Sequence, residues 1–136
     1  MGAPSATTAK VLVVDDDPGV RLLVVRRLQK AGYRVREASG AGEAREQIAA
    51  HGAPDAVVLD VGMPDVDGFE LLAEIRDHVD EPELPAVFLS AQVEAPEIAH
   101  GRSLGAAYLT KPFVATALLS TLERLLAARD AAVNEW

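Results

Sequence analysis

Three short apolar runs constrain the fold of this chain more than any other feature. They occupy residues 11–14, 56–59 and 86–89, and acids, proline or serine stand at their ends. Apolar runs of this length are typical of buried strands, because a helix of similar burial needs a longer segment. Weaker strand patterns occupy residues 33–38 and 107–110, so a total of five strands is predicted.

Helical patterns fill the gaps between these strands and follow the last one. The first helix is predicted to begin near Asp17 and Pro18, a cap residue followed by an early proline, and to end at Gly32. Its apolar face is expected to contain Val20, Leu23, Val24 and Leu28. The other helices are predicted from a Ser39 cap to about residue 51 and at about 67–79, 94–103 and 113–129.

This alternation of strands and helices predicts an α/β fold. Right-handed crossovers between successive strands give a doubly wound parallel sheet with helices on both faces. In such sheets, ligands bind outside the carboxyl ends of the strands, near the point where the winding direction reverses. Functional residues are therefore expected directly after strands.

The composition fits one domain that folds without disulfides. A chain of 136 residues, 49% of them hydrophobic, can bury a core by itself. It has no cysteine, which excludes thiolate zinc sites and cysteine nucleophiles. No apolar run reaches the roughly 18 residues of a membrane span, so a cytoplasmic protein is predicted. We expect a domain at 10–130 between tails at 1–9 and 131–136.

Charge is distributed unevenly along the sequence. The net charge of −8 argues against a general attraction to nucleic acid. Six bases lie between residues 21 and 36, whereas residues 65–97 contain ten acids and the single base Arg76. The early bases alternate with apolar residues, as on the solvated side of an amphipathic helix. We therefore expect protein partners and neither direct nucleic-acid binding nor membrane binding.

Acidic residues directly follow two of the predicted strands. Asp15 and Asp16 come after the first strand, and Asp60 comes after the third. Because the carboxyl ends of parallel strands meet at one edge of a sheet, these carboxylates are expected to lie together. A small cluster of hard oxygen ligands suits Mg²⁺. Asp17 is interpreted as the cap of the first helix.

Two further residues extend this cluster into a reactive site. Ser90 ends the fourth strand beside the small Ala91, and Lys111 follows the fifth strand with Pro112 fixing the turn. An aspartate nucleophile, a metal ion, a lysine and a hydroxyl form the set that an aspartyl phosphate requires. The combination is much more specific than any of its members.

Four motifs at these strand ends resemble the signatures of response regulator receiver domains, the family of two-component signalling that includes the chemotaxis receivers. In order they are VVDDDP at 13–18, LDVGMPDVDG at 59–68, LSA at 89–91 and YLTKPF at 108–113. The resemblance spans residues 11 to about 129. Four spaced motifs in one order make a chance match very improbable.

The resemblance implies a role for each site residue. Asp60 is expected to accept the phosphoryl group, and Lys111 to pair with the phosphoryl oxygens. Ser90 is expected to hydrogen-bond one of these oxygens after phosphorylation. Mg²⁺ is the implied cofactor, with ligands from Asp15, Asp16, Asp60 and the backbone carbonyl of Gly62. Tyr108 matches an aromatic switch position that turns inward as Ser90 moves.

The resemblance also implies a fold and partners. The expected fold is a flavodoxin-like three-layer sandwich with strand order 2-1-3-4-5. A histidine kinase or histidine phosphotransfer protein is expected as the donor, and the fourth helix, fifth strand and fifth helix form the expected partner face. A homodimer on phosphorylation fits the same face. The protein is expected to be a phosphoacceptor regulator rather than an enzyme.

The sequence departs from the family pattern at a few positions. Gly62 stands two residues after Asp60, Gln92 stands two residues after Ser90, and alanines at 106 and 107 replace frequent acids. Gly62 and Gln92 flank the expected path of an attacking water, so we hypothesise that they tune the phosphate lifetime.

Two questions stay open from the sequence. An alternative function is an aspartyl-phosphate phosphatase of the haloacid dehalogenase type, in which Asp15 and Asp17 would carry the chemistry. The short DxD motif is its basis, although it leaves Asp60 and Lys111 unexplained. The sequence is equally compatible with a stand-alone receiver and with a piece of a longer regulator.

Overall fold

A computed structural model describes residues 9–91, 94–113 and 115–133 of the chain. Five strands alternate with five helices over this part. The strands are β1 (Lys10–Val14), β2 (Arg34–Ala38), β3 (Ala56–Asp60), β4 (Ala86–Ser90) and β5 (Ala107–Thr110). The helices are α1 (Pro18–Lys30), α2 (Ala41–His51), α3 (Gly68–His78), α4 (Ala95–Ser103) and α5 (Ala115–Val133).

All neighbouring strands of the sheet run parallel, in the order β2-β1-β3-β4-β5. The predicted order and the doubly wound α/β class are therefore confirmed. The chain steps from β1 outward to β2 and then returns to the other side of β1 to form β3. The winding direction reverses between these two strands, so the crevice lies at the carboxyl ends of β1 and β3.

Helices cover both faces of the sheet and create two apolar cores. One core joins strand residues to α1 and α5, and its buried cluster includes Val13, Val24, Leu28 and Leu118. The other core joins the opposite strand face to α2 and α3, with Tyr108 of β5 at its end. Every residue of β3 and β4 is buried, which explains why these two strands form continuous apolar runs.

Three local predictions differ from the structure. Leu23 was predicted on the buried face of α1, but it is 47% exposed and Val25 is buried instead. Ser39 was predicted to cap α2, but Gly40 is the N-cap and the Ser39 amide donates to Glu43 Oε1 at 2.8 Å. The fifth helix continues to Val133, beyond its predicted end near residue 129 and into the expected tail.

The predicted Asp17 cap of α1 is confirmed, and Asp67 caps α3 in a similar way. Asp17 Oδ1 accepts hydrogen bonds from the amides of Gly19 and Val20 at the start of α1. Asp67 Oδ1 accepts one from the amide of Glu70 at the start of α3. Within the described ranges, none of the helices combines the length and the apolar character that a bilayer crossing requires.

Candidate functional site

Three carboxylates meet at the carboxyl ends of β1 and β3. Asp15 directly follows β1, Asp60 is the last residue of β3, and the two strands are paired through Val14 and Leu59. One carboxylate oxygen each from Asp15, Asp16 and Asp60 lies within 4.8 Å of the others. Asp15 and Asp60 are buried, whereas Asp16 is exposed at the mouth of the site. The structure thus brings the predicted acids together at the crevice.

Backbone contacts hold Asp15 in a fixed position. Its amide donates to the Ala38 carbonyl at 3.1 Å, and its carbonyl accepts a hydrogen bond from Arg21 Nη1 at 2.8 Å. Its carboxylate Oδ1 accepts the Asp17 amide at 2.9 Å. These contacts leave Oδ2 as the atom of Asp15 that faces the other charged groups of the site.

Lys111 reaches into the acidic cluster. Its Nζ lies 3.1 Å from Asp15 Oδ2 and 3.4 Å from Asp60 Oδ1, and its side chain is 18% exposed. Its backbone amide donates to the Ser90 carbonyl at 2.7 Å, and the peptide bond to Pro112 is cis. Lys111 therefore belongs to the site and is not a solvated surface lysine.

The electrostatics of the site reflect an excess of negative charge. Burial, the charge of Asp15 and a hydrogen bond with Asp16 raise the pKa of Asp60 to about 6, against the smaller lowering effects of Lys111 and the Gly62 amide. Burial alone would lower the pKa of Lys111, but the Asp15 and Asp60 carboxylates together raise it. The site thus contains three carboxylates and one ammonium group, and a further cation would relieve the repulsion between the carboxylates.

The residues present fit a Mg²⁺ ion. Asp15 Oδ2 is buried and accepts no hydrogen bond within the described residues, so its contact with Lys111 is a charge attraction without hydrogen-bond geometry. An orphaned carboxylate oxygen beside two further carboxylates is the hard donor set that Mg²⁺ takes from proteins. The Gly62 amide donates to Asp60 Oδ1 at 3.2 Å, which places the loop of the predicted carbonyl ligand at this cluster.

Gly68 allows α3 to approach Asp60 closely. A Cβ atom built at Gly68 would lie 2.4 Å from the Asp60 backbone oxygen, and the Gly68 amide donates to the Val61 carbonyl at 3.0 Å. From the sequence, Gly68 was recognised only as the last residue of the motif at 59–68. The structure adds that a side chain there has no room.

The two predicted switch residues are both buried. Ser90 ends β4 at 2% exposure, in register with Thr110 of β5, and Tyr108 is 9% exposed in the core between the sheet and α4. A Cβ atom built at Gly101 of α4 would lie 2.9 Å from the Tyr108 ring and 3.2 Å from the Phe88 ring. The glycine therefore creates the space that the buried tyrosine ring occupies.

Sequence reasoning missed the role of Arg76. Its guanidinium donates to the Leu84 carbonyl at 2.7 and 3.2 Å and to the Leu104 carbonyl at 2.5 Å. It therefore joins α3 to the segments that precede β4 and follow α4. Its position as the single base among ten acids was the available signal. Gln92, named above for its expected effect on phosphate lifetime, lies outside the described residues.

Comparisons with known proteins agree with this geometry. The sequence profile of the response regulator receiver domain matches residues 11–123. The response regulator MprA of Mycobacterium ulcerans is 42% identical over 120 residues, covering 88% of this chain and 50% of that protein. The MprA protein of Mycobacterium bovis is 41% identical, with 88% and 51% covered. The chain thus spans about half the length of these relatives.

Solved structures with this fold are similar along nearly their whole length. The chemotaxis protein CheY4 of Vibrio cholerae is 34% identical, with a TM-score of 0.79 over 87% of this chain and 98% of its own. A putative response regulator from Chloroflexus aurantiacus is 36% identical, with a TM-score of 0.80 over 88% and 98%. The family match also favours the receiver interpretation over the phosphatase alternative, since Asp17 serves as a helix cap. The chain therefore belongs to the response regulator receiver domain family.

Proposed function

We propose that this protein is a phosphorylation-dependent signalling switch in which Asp60 accepts a phosphoryl group from a phosphohistidine donor. The observation that carries the proposal is the environment of Asp60. It is a buried carboxylate at the end of a central strand, 3.4 Å from Lys111 Nζ and grouped with Asp15 and Asp16. If Lys111 served only in a structural ion pair, one carboxylate would be enough to balance its charge. The site contains three carboxylates, which is an arrangement that suits a metal ion and a phosphoryl group.

In the proposed transfer, an oxygen of Asp60 attacks the phosphorus atom of the donor. A P–O bond forms, the P–N bond breaks, and the imidazole leaves and takes up a proton. Asp15, Asp16, Asp60 and the Gly62 carbonyl would hold Mg²⁺, which supplies positive charge toward the phosphoryl oxygens when bound. Lys111 supplies a second positive charge. The protein contributes mainly position and charge neutralisation, so it acts as a regulator that is modified rather than as a turnover enzyme.

The switch requires that the phosphoryl group stabilise one conformation more than another. In our proposal, Ser90 and Lys111 contact the phosphoryl oxygens in only one of the two conformations and so stabilise it. Tyr108 and α4 change position together with Ser90. The weak attachment of α4 supports this choice. Its one buried residue is Gly101, and Glu94 at its N-cap makes no side-chain cap hydrogen bond. A helix held by so little burial is displaced at low cost.

The proposed partners follow from family membership. A histidine kinase or histidine phosphotransfer protein is the proposed donor, and this chain is proposed to meet it in the cytoplasm. The face formed by α4, β5 and α5 is the proposed contact for a downstream protein or for a second copy after phosphorylation. Gly62, which is exposed beside the acceptor, and Gln92 are proposed to set the lifetime of the phosphate by controlling access of water.

Intact-mass analysis after incubation with acetyl phosphate tests the acceptor and the metal together. The natural chain should gain one phosphoryl group with Mg²⁺ and none with EDTA. Asp60→Asn should gain none, whereas Asp65→Asn, an exposed acid of the same loop, should behave like the natural chain. An adduct that persists in Asp60→Asn, or one that forms equally in EDTA, would refute the proposal. Loss of the adduct only in Asp15→Asn would favour the phosphatase alternative.

A further inference from the structure

A second pocket lies at the end of the sheet opposite Asp60. It has a volume of about 450 Å³ and opens between α2 and the first residues of β1 and β2, above the loop 52–54. The polar residues that line it are Lys10, Arg34, Arg36, Gln47 and His51. We call this cavity the β2 pocket.

The β2 pocket concentrates positive charge on an acidic protein. Lys10 and Arg34 stand directly opposite each other on paired strands, and Arg36 follows on the same face of β2. Like charges in such a pair repel each other. Within the described part of the chain, none of these three side chains makes an ion pair, and no acid lines the pocket. An anionic ligand would compensate this charge.

The carboxylate of Asp55 does not supply that compensation. Its Oδ2 accepts the backbone amide of Lys10 at 2.8 Å. Its Oδ1 lies 3.3 Å from Nη1 of Arg129, which belongs to α5 on the other side of the sheet. Both carboxylate oxygens of Asp55 are thus occupied, one by a backbone amide and one by Arg129, so this acid does not neutralise the bases of the β2 pocket.

The interior of the β2 pocket has a different character from its charged rim. Leu12, Ile48 and Pro54 provide apolar walls. Gln47 Oε1 is buried and has no hydrogen-bond partner among the described residues. A buried carbonyl oxygen without a donor is unfavourable, because it has lost its hydrogen bonds to water. A ligand that brings an N–H or O–H group together with an apolar surface would remove this cost.

We propose that the β2 pocket binds an organic phosphate of the nucleoside phosphate class. The phosphate groups contact Lys10, Arg34 and Arg36, and the organic part lies against Leu12 and Ile48 with a donor directed to the amide oxygen. The pocket volume is within the roughly 300–1,000 Å³ of small-molecule sites. This inference is independent of the phosphorylation of Asp60, because the pocket lies at the other end of the strands.

Calorimetric titration with ADP tests the inference. EDTA is included so that a metal ion at the acidic cluster cannot attract the nucleotide. The natural chain should bind ADP, and Arg34→Gln/Arg36→Gln should bind it at least about tenfold more weakly, because charge-assisted contacts are lost. Arg26→Gln/Arg27→Gln is the matched control, since it removes the same charge from exposed positions of α1 and should bind as the natural chain does.

Adenosine and inorganic pyrophosphate separate the two halves of the site. Each should bind more weakly than ADP, because each lacks one of the two recognised parts. Absence of ADP binding, equal loss in both double variants, or pyrophosphate binding as tightly as ADP would overturn the inference. Amide NMR shifts of the natural chain give a test without substitutions. ADP should shift residues 34–36 and 47–54 most, and largest shifts at 60–62 would also overturn it.

Discussion

Replacing Asp60 with asparagine should stabilise the metal-free protein at neutral pH. The pKa of Asp60 is raised from 3.8 to about 6, first by burial and then by the charge of Asp15 and the hydrogen bond with Asp16. Because this pKa is higher in the folded chain, the folded state binds more protons than the unfolded state between about pH 4 and pH 6. The stability that the protonated acid contributes is therefore lost as the pH rises through about 6.

The two pKa values differ by about two pH units, and each unit corresponds to about 1.36 kcal/mol, which gives an upper limit of about 3 kcal/mol. The site opens to solvent beside the exposed Asp16, and screening there lowers the expected gain to about 1–2 kcal/mol. Asparagine keeps the oxygen that accepts the Gly62 amide and lacks the charge. The substitution thus removes the repulsion with little change of shape.

Urea unfolding followed by circular dichroism in EDTA measures this difference. Asp60→Asn should exceed the natural chain in free energy of unfolding at pH 7.5, and the gain should fall to about half at pH 5. Asp65→Asn makes the same charge change at an exposed position and should alter stability by no more than about 0.5 kcal/mol. A variant no more stable than the natural chain at pH 7.5, or a gain independent of pH, would refute the reasoning.

Three further substitutions, two of them with a matched control, probe close contacts by the same unfolding measurement. Gly68→Ala should lower the free energy of unfolding by at least about 2 kcal/mol, because the added methyl group meets a backbone oxygen. Gly62→Ala is its control and should change this free energy by less than about 0.5 kcal/mol, because no atom lies within 4 Å of the added methyl group. Gly101→Ala should lower the free energy of unfolding by about 1–3 kcal/mol, because the methyl group overpacks two aromatic rings. Gly42→Ala is its control, and since its methyl group enters open space it should leave stability unchanged or raise it by up to about 1 kcal/mol. Arg76→Met should lower the free energy of unfolding by about 2–4 kcal/mol, because two carbonyl groups lose their hydrogen-bond donors. An unchanged unfolding midpoint would contradict the structural role of Arg76.

The sequence predicted those parts of the fold in which local pattern and burial agree. The strands β3 and β4 are buried at every position and therefore form unbroken apolar runs. The helix α1 shows the opposite case, because residues 22–25 are all apolar and the pattern does not say which of them faces inward. Packing against α5 selects Val25 and leaves Leu23 exposed, and this is a tertiary effect that no local rule contains.

The acidic part of the site was predictable for a topological reason. Parallel strands place their carboxyl ends at one edge, and the strand order that the family resemblance implied puts β1 beside β3, so Asp15 and Asp60 were expected to meet. The role of Arg76 was not predictable in this way, because its guanidinium binds two carbonyl groups, those of Leu84 and Leu104, in segments that are distant in sequence. The same holds for Gly101, whose need for a small side chain arises only from the rings that pack against it.

The strand β2 stands at one end of the sheet, so its outer edge has no partner strand within the described part of the chain. Such an edge can template the addition of a strand from another molecule, and exposed charges are the usual protection against it. Arg34, Arg36 and Glu37 are all exposed along this edge. These charges hinder the pairing of β2 with a strand of another molecule. Replacing the two arginines with valine would leave an apolar, unprotected edge strand and promote aggregation.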